Sequence, residues 1–355
     1  MVQRIIQIGA GGFAERWCRE FLPTNVADGL IEVVGVIDRD AAALERVRNG
    51  LNLAPEQCFT DPEDAFSRVE ADFCSIVVPP AFHEYYVDLA IANNIHILSE
   101  KPLADTIESS ARIARKVAET DLKMAVTMSH RFDQDKMTFS QVVKANDIGR
   151  LNMLHCRLSA DMRRFDSWRR FRHEMRHPLL IEGAIHHIDY LASLVGSPCR
   201  SVYATTWKPE WAEYAGDTDA SLIMVFDNGV RATFEGSCAS PVGVSDWYFE
   251  QMRADGSDGI ALLDHREVEI FRRRDTTIRQ SARAGEGQKV PPVVGTKWLN
   301  NLLIEQFVNW LEGGVEMETT ASANFESTVI LFAAIESADT GKVVEIGEFK
   351  KRLGI

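Results

Sequence analysis

Residues 179–194 read LLIEGAIHHIDYLASL, an apolar run that carries four ionisable groups: Glu182, His186, His187 and Asp189. Three chemistries use such a set. It can be a hydrogen-bonded polar patch inside a core, since buried polar groups are normally paired. It can ligate a metal through Glu182, His186 and Asp189, although no H-E-x-x-H pattern or cysteine ligand accompanies it. It can also do acid–base work, because a carboxylate one turn from an imidazole raises its basicity and fixes which nitrogen carries the proton. At about 100° per residue, a helix puts Glu182, His186, Asp189 and Ser193 in one arc, with Ile181, Ala184, Ile188, Leu191 and Val195 opposite. His187 lies about 100° from His186, toward Leu191 and Leu194, as a core histidine or a substrate contact.

A second cluster of chemistry-bearing residues opens the chain. Gly9-Ala10-Gly11-Gly12-Phe13-Ala14 is a G-x-G-x-x-A fingerprint between an expected strand and an expected helix. Gly9 permits the tight turn, Gly11 lets the backbone approach a pyrophosphate, and the small Ala14 allows close helix–strand packing. The following helix then directs free N–H groups and its positive end at the phosphates. The next strand ends at Asp38, where an acid would hold ribose hydroxyls. Asp38 favours NAD, because a carboxylate repels a 2′-phosphate; the adjacent Arg39 could pair with that phosphate and leaves NADP open.

The elements that must position these groups follow from hydrophobic patterning. Apolar runs at 5–8, 31–37, 73–78, 95–99 and 124–127 alternate with helical segments at 13–21, 41–49, 62–68, 82–93 and 107–120. That pattern predicts a doubly wound parallel sheet covered on both faces, over residues 1–127. Past residue 144 strands follow one another at 151–158, 200–206, 220–226, 230–236, 247–254, 260–263 and 267–271. They predict an α+β second domain over 128–355, with a large, mostly antiparallel open sheet. Asp227-Asn228-Gly229 marks a hairpin, and helices at 298–312 and 321–338 close the chain.

Bulk properties narrow the partners. A chain of 355 residues is long enough for two cores. A net charge of -13 argues against sequence-independent nucleic-acid binding. The six cysteines are scattered, which fits buried thiols in a reducing cytoplasm. No apolar run reaches the ~20 residues that span a bilayer, and no signal peptide is apparent.

Several segments in order carry a resemblance: SIVVPPAFHEYYVDLAIANNIHILSEKPLADT, MSHRFDQDKMTFSQVVKANDIGRL, IEGAIHHID and ESADTGKVVEI. Together they resemble the Gfo/Idh/MocA family of oxidoreductases (glucose–fructose oxidoreductase, inositol dehydrogenase and relatives). The resemblance implies a Rossmann domain followed by an α/β domain that oligomerises, as a dimer or tetramer, through its open sheet. It places Pro79, Pro80, His83, Glu100 and Lys101 at the cofactor, with His83 alternatively a residue of the helix start. Lys101, in E-K-P, comes to lie near nicotinamide and substrate, and its bond to Pro102 is commonly cis in the family. His186 takes the place of the catalytic histidine, and Glu182 stands where an aspartate is usual.

Residues 163–177, RRFDSWRRFRHEMRH, contain six arginines in an acidic chain. They are a solvated or inter-subunit face, or else Arg163, Arg164 or Arg169 lines the substrate mouth and favours an anionic sugar acid. The resemblance places the Trp168-Arg169 pair near substrate. The expected activity is hydride transfer between NAD(P) and a sugar, inositol or related polyol. His186 is the acid/base, tuned by Glu182 or Asp189, and Lys101 orients the reacting oxygen. An NAD-dependent glycosidase and a non-enzymatic dinucleotide sensor are the alternatives.

Overall fold

The structure, a computed structural model, describes residues 1–355 except 166, 168, 169 and 275–278. Two compact units result: Met1–Ser129 with Lys297–Thr328, and His130–Thr296 with Val329–Ile355.

In the first unit, strands β1 (Gln3–Ile8), β2 (Ile31–Ile37), β3 (Cys58–Phe59), β4 (Phe73–Ile76), β5 (His96–Ser99) and β6 (Met124–Val126) form a sheet ordered β3-β2-β1-β4-β5-β6. Every pairing is parallel. The strands are apolar runs because both sheet faces are covered: Ile5, Ile6, Ile8, Phe73, Ile76 and Ile97 are fully buried. Asp40, Asp61 and Thr106 start helices Ala41–Arg48, Pro62–Arg68 and Ile107–Ala118 by accepting first-turn N–H groups. The helix expected over 13–21 is α-helical at Phe13–Arg16, π-helical at Trp17–Phe21 and α-helical again at Leu22–Ala27.

The compact units change over after Ser129, and residues Lys297–Thr328 belong with the first. Helix Leu299–Leu311 belongs to the first unit. Phe307 packs on Phe73 with ring centroids 5.3 Å apart, and Asn300 donates to Glu100 at 3.1 Å. Linear patterning registers that a helix is amphipathic, not which core takes its apolar face.

In the second unit, β7 (Leu151–Ser159), β8 (Cys199–Trp207), β9 (Asp219–Phe226), β10 (Arg231–Ser237), β11 (Gln251–Gly256), β12 (Gly259–Asp264), β13 (Glu267–Arg272), β14 (Gln288–Lys289) and β15 (Val344–Glu345) make one sheet. Its order is β14-β13-β12-β11-β7-β10-β9-β8-β15, and among the described residues only β7 and β10 pair in parallel. The β9–β10 hairpin turns at Gly229, whose φ of +87° only glycine adopts cheaply. Leu154, Cys156, Leu158, Met224 and Phe234 line the buried face. Helix Ile185–Val195 packs on β7 and β10, and helix Gln134–Lys144 on β12 and β13. Between β8 and β9, Tyr203 and Ile223 pair on the opposite face and stay exposed.

The run 179–195 is not one regular helix. Leu179–Ala184 is π-helical and Ile185–Val195 is α-helical, ending at left-handed Gly196. The wider π turn advances less per residue, so the arc expected to join Glu182 to His186 is broken between them. Among the described residues, no helix is long and apolar enough to cross a membrane.

Candidate active site

The glycine loop leaves β1 as the fingerprint requires. Gly9 has φ +98°, and a Cβ there would meet the Val77 carbonyl oxygen at 2.2 Å, so no other residue fits. Gly12 also has positive φ, +61°, with open space beside it. A Cβ on Gly11 would find nothing nearer than Asp38 Oδ2 at 3.9 Å, leaving backbone open to a ligand. Ala14 is buried, as close helix packing demands, while Phe13 is exposed. Asp38 binds the loop itself: its Oδ2 accepts from the N–H groups of Ala10 at 2.7 Å and Gly11 at 3.2 Å. Arg39 is exposed. Bare glycine backbone, a helix start and an acid at the end of β2 fit a dinucleotide, whose phosphates Gly9, Gly11 and Gly12 would hold and whose ribose Asp38 would meet.

The residues after β4 and β5 are organised around backbone carbonyls and one acid. Pro79 is exposed and Pro80 buried. His83 is fully buried, its ring nitrogens 3.0 Å from the Val78 carbonyl and 3.3 Å from the Leu103 carbonyl. These contacts tie the turn after β4 to the segment following Pro102. Glu100 is buried and accepts from Trp17 Nε1 at 3.0 Å, Asn300 at 3.1 Å and the Lys101 N–H at 3.2 Å. Burial pushes its carboxyl above the ordinary range. Glu100 is thus a brace under Lys101, which is half-buried at the carboxyl end of β5, and the Lys101–Pro102 bond is cis.

In the second unit, four segments bring a histidine cluster together. His186 stacks on His130, with ring centroids 4.2 Å apart and planes 12° apart. Trp247 packs edge-on against His130, His186 and His187. His187 stacks on Phe234 and its Nε2 lies 3.3 Å from Glu250 Oε1. The same oxygen is 3.2 Å from His130 Nδ1, a polar contact out of line for a full hydrogen bond. Glu250 Oε2 is 2.8 Å from Lys136 Nζ, which also reaches Asp135 at 3.1 Å and the Tyr248 carbonyl at 2.9 Å. Arg266 grips Asp133 with two 2.8 Å bonds and donates to the Tyr248 carbonyl at 3.1 Å. Tyr248 itself has φ +72°, a strained conformation for a large side chain, and the two cations hold its carbonyl in place.

Burial sets the protonation states of this cluster. It pushes His130 below the usual imidazole range, which keeps the ring neutral near pH 7. Burial would also raise Glu250, but its contacts with His130, His187 and Lys136 outweigh that and hold the carboxyl well below the usual range. Lys136 likewise stays raised against burial, through Glu250 and Asp135.

The two carboxylates expected to tune His186 are both engaged by arginines. Arg172 donates to Glu182 Oε2 at 2.8 Å through Nε and at 2.6 Å through Nη2, and Glu182 is 1% exposed. Asp189 Oδ2 lies 3.4 Å from Arg131 Nε. Glu182, on the π turn, thus forms a part-buried pair with Arg172. The basic segment is largely matched: Arg163 pairs with Asp161, Arg170 with Glu174 and Arg176 with Asp339. Trp168 and Arg169 lie outside the described residues.

Sequence reasoning missed His130, Lys136, Trp247 and Glu250. The crowding of ionisable residues at His130, Arg131, Asp133, Asp135 and Lys136, all buried, was a usable signal of the kind read at 182–189. Glu250 sat unremarked in an expected strand, 247–254, that begins only at Gln251.

Comparison with known proteins places both units. Residues 3–128 match the oxidoreductase-family model for an NAD-binding Rossmann fold, and 141–346 match that family's C-terminal α/β domain. An uncharacterized protein of Sinorhizobium fredii is 56% identical over 98% of this chain and 97% of its own. The scyllo-inositol 2-dehydrogenase (NAD(+)) of Bacillus subtilis is 27% identical over 70% of this chain and 71% of its own. An oxidoreductase from Agrobacterium radiobacter, solved with NAD+, L-tartaric acid and magnesium, superposes with a TM-score of 0.83. It covers 98% of this chain and 99% of that one at 18% identity, a likeness of fold. With both domain models matched over most of its length and a glycine loop built for a dinucleotide, the chain belongs to the Gfo/Idh/MocA family of NAD-binding oxidoreductases.

Proposed function

We propose that this chain oxidises a secondary alcohol of a polyol or sugar of the inositol class with NAD+, or reduces the corresponding ketone. The observation that carries the reading is His186, buried at the first turn of its helix and stacked on a neutral His130 beneath Trp247. That packing restrains the imidazole, while Arg172 and Arg131 reach Glu182 and Asp189 on the same helix run. In the oxidation direction His186 accepts the hydroxyl proton while the C–H bond breaks and a carbonyl forms. NAD+, when bound, supplies the hydride acceptor. Lys101 orients the reacting oxygen with its ammonium group, and Asp38 favours NAD over NADP. The name of the Bacillus subtilis relative, scyllo-inositol 2-dehydrogenase, supports the substrate class.

The test is a spectrophotometric screen of scyllo-inositol, myo-inositol, aldoses and sugar acids against NAD+ and NADP+. Reduced cofactor accumulating with a polyol supports the reading; turnover of a glycoside without accumulation, or none with any polyol or sugar, defeats it. The reading extends to a homo-oligomer, the exposed Tyr203–Ile223 pair being an apolar feature that a second copy would cover. A monomeric mass by sedimentation would refute that extension.

A further inference from the structure

We propose that Glu250 is a positioning residue for His186, an inference that rests on the acid–base reading above. Its carboxylate is 1% exposed, so an unpaired charge there would be strongly destabilising. Lys136 supplies the counter-charge on one oxygen, and the other oxygen faces His130 Nδ1 at 3.2 Å and His187 Nε2 at 3.3 Å. An ionised carboxylate only accepts, so Glu250 selects the tautomer of His187 with its proton on Nε2 and favours that of His130 with its proton on Nδ1. His130 so held presents its ring face to His186, 4.2 Å away and nearly parallel. Trp247, three residues before Glu250, closes over all three imidazoles, so one short segment delivers both the wedge and the charge. Tyr248 stands between them in its strained conformation, its carbonyl clamped by Lys136 and Arg266. Strain maintained by two cations, the buried Lys136 and the half-buried Arg266, suits a segment that must stay put.

His130, His187 and Glu250 also have the makings of a metal site, their ligand atoms lying within 4.8 Å of one another. Two features oppose it. The Lys136 ammonium already sits 2.8 Å from the Glu250 carboxylate. His187 Nδ1 is buried with no hydrogen-bond partner among the described residues, whereas a metal-bound imidazole normally donates its second N–H to one.

The experiment uses the full-length protein with 15N-labelled histidine and three variants: Glu250→Gln, Glu250→Asp, and the charge-balanced pair Glu250→Gln with Lys136→Met. Glu250→Gln is expected to replace the fixed tautomers of His130 and His187 by mixtures in the imidazole 15N spectrum. It should lower kcat on the best polyol of the screen at least tenfold, with KM for NAD+ unchanged. The double variant should recover thermal stability but neither the tautomers nor kcat, and Glu250→Asp should recover part of kcat. Wild-type tautomers and kcat in the double variant would overturn the proposal, as would stoichiometric metal in the purified wild type. If His186→Ala keeps full turnover while the spectra change as expected, it is the acid–base reading that has failed.

Discussion

The glycine loop and the histidine cluster are built in opposite ways. The loop is one contiguous stretch, Gly9 to Ala14, closed by a single acid 24 residues on from Ala14, and its working surface is backbone. The cluster draws side chains from four separated segments around residues 130–136, 182–189, 247–250 and 266, and its working surface is a stack of rings over a buried charge network. A backbone site depends on φ/ψ and on what a Cβ would strike. A side-chain site depends on which distant residues arrive together.

Mutations that break this contrast are expected to rank as follows. Gly9→Ala forces a Cβ into the Val77 carbonyl at positive φ and should cost about 3 kcal/mol or more, seen as a large fall in Tm with loss of NADH binding. Gly11→Ala, two residues on, has room for its Cβ and should leave Tm nearly unchanged while weakening NADH binding. Equal Tm losses at the two glycines would show the loop to be constrained throughout. On the other side, His186→Ala should lower kcat about 10²- to 10⁴-fold with NADH affinity retained, measured by steady-state kinetics and cofactor fluorescence.

Arg172→Ala leaves Glu182 buried without its counter-charge and should cost about 3 kcal/mol in urea unfolding, with a smaller fall in kcat than His186→Ala. The reverse order would return Glu182 to the catalytic group. Asp38→Ala should raise the preference for NADP roughly tenfold, read from kcat/KM with each cofactor. The smallest effect concerns pH. The Glu250 carboxyl is depressed in the folded state, so its contribution is fully present above its unfolded pKa of about 4.3 and is lost as pH falls through the folded value. The stability gap between wild type and Glu250→Gln should therefore be flat from pH 7 to 5 and shrink only in stronger acid; a gap that closes near pH 6 would assign it to a histidine instead.

Much of the fold was legible because its signals are local. The five main strands of the parallel sheet stand where apolar runs predict them, and Asp40, Asp61 and Thr106 mark helix starts. The π-helical turn at Leu179–Ala184 was not, since periodicity assumes a constant angle and one extra residue in a turn leaves composition unchanged. His187 read as the more apolar-facing histidine, and it does stack on Phe234, yet its other contact is Glu250, 63 residues away.

From sequence alone came the dinucleotide loop, the acid after the second strand and the order of strands and helices, while the E-K-P lysine was marked by the family resemblance. Each is encoded within a few residues, where backbone sterics and hydrophobic period leave few choices. Only the tertiary structure decided what the ionisable groups do. It gave Glu182 to Arg172, Asp189 to Arg131, and two histidines to a glutamate that no motif singles out. A buried charge must find a partner, and in a folded chain that partner is chosen by space rather than by sequence distance.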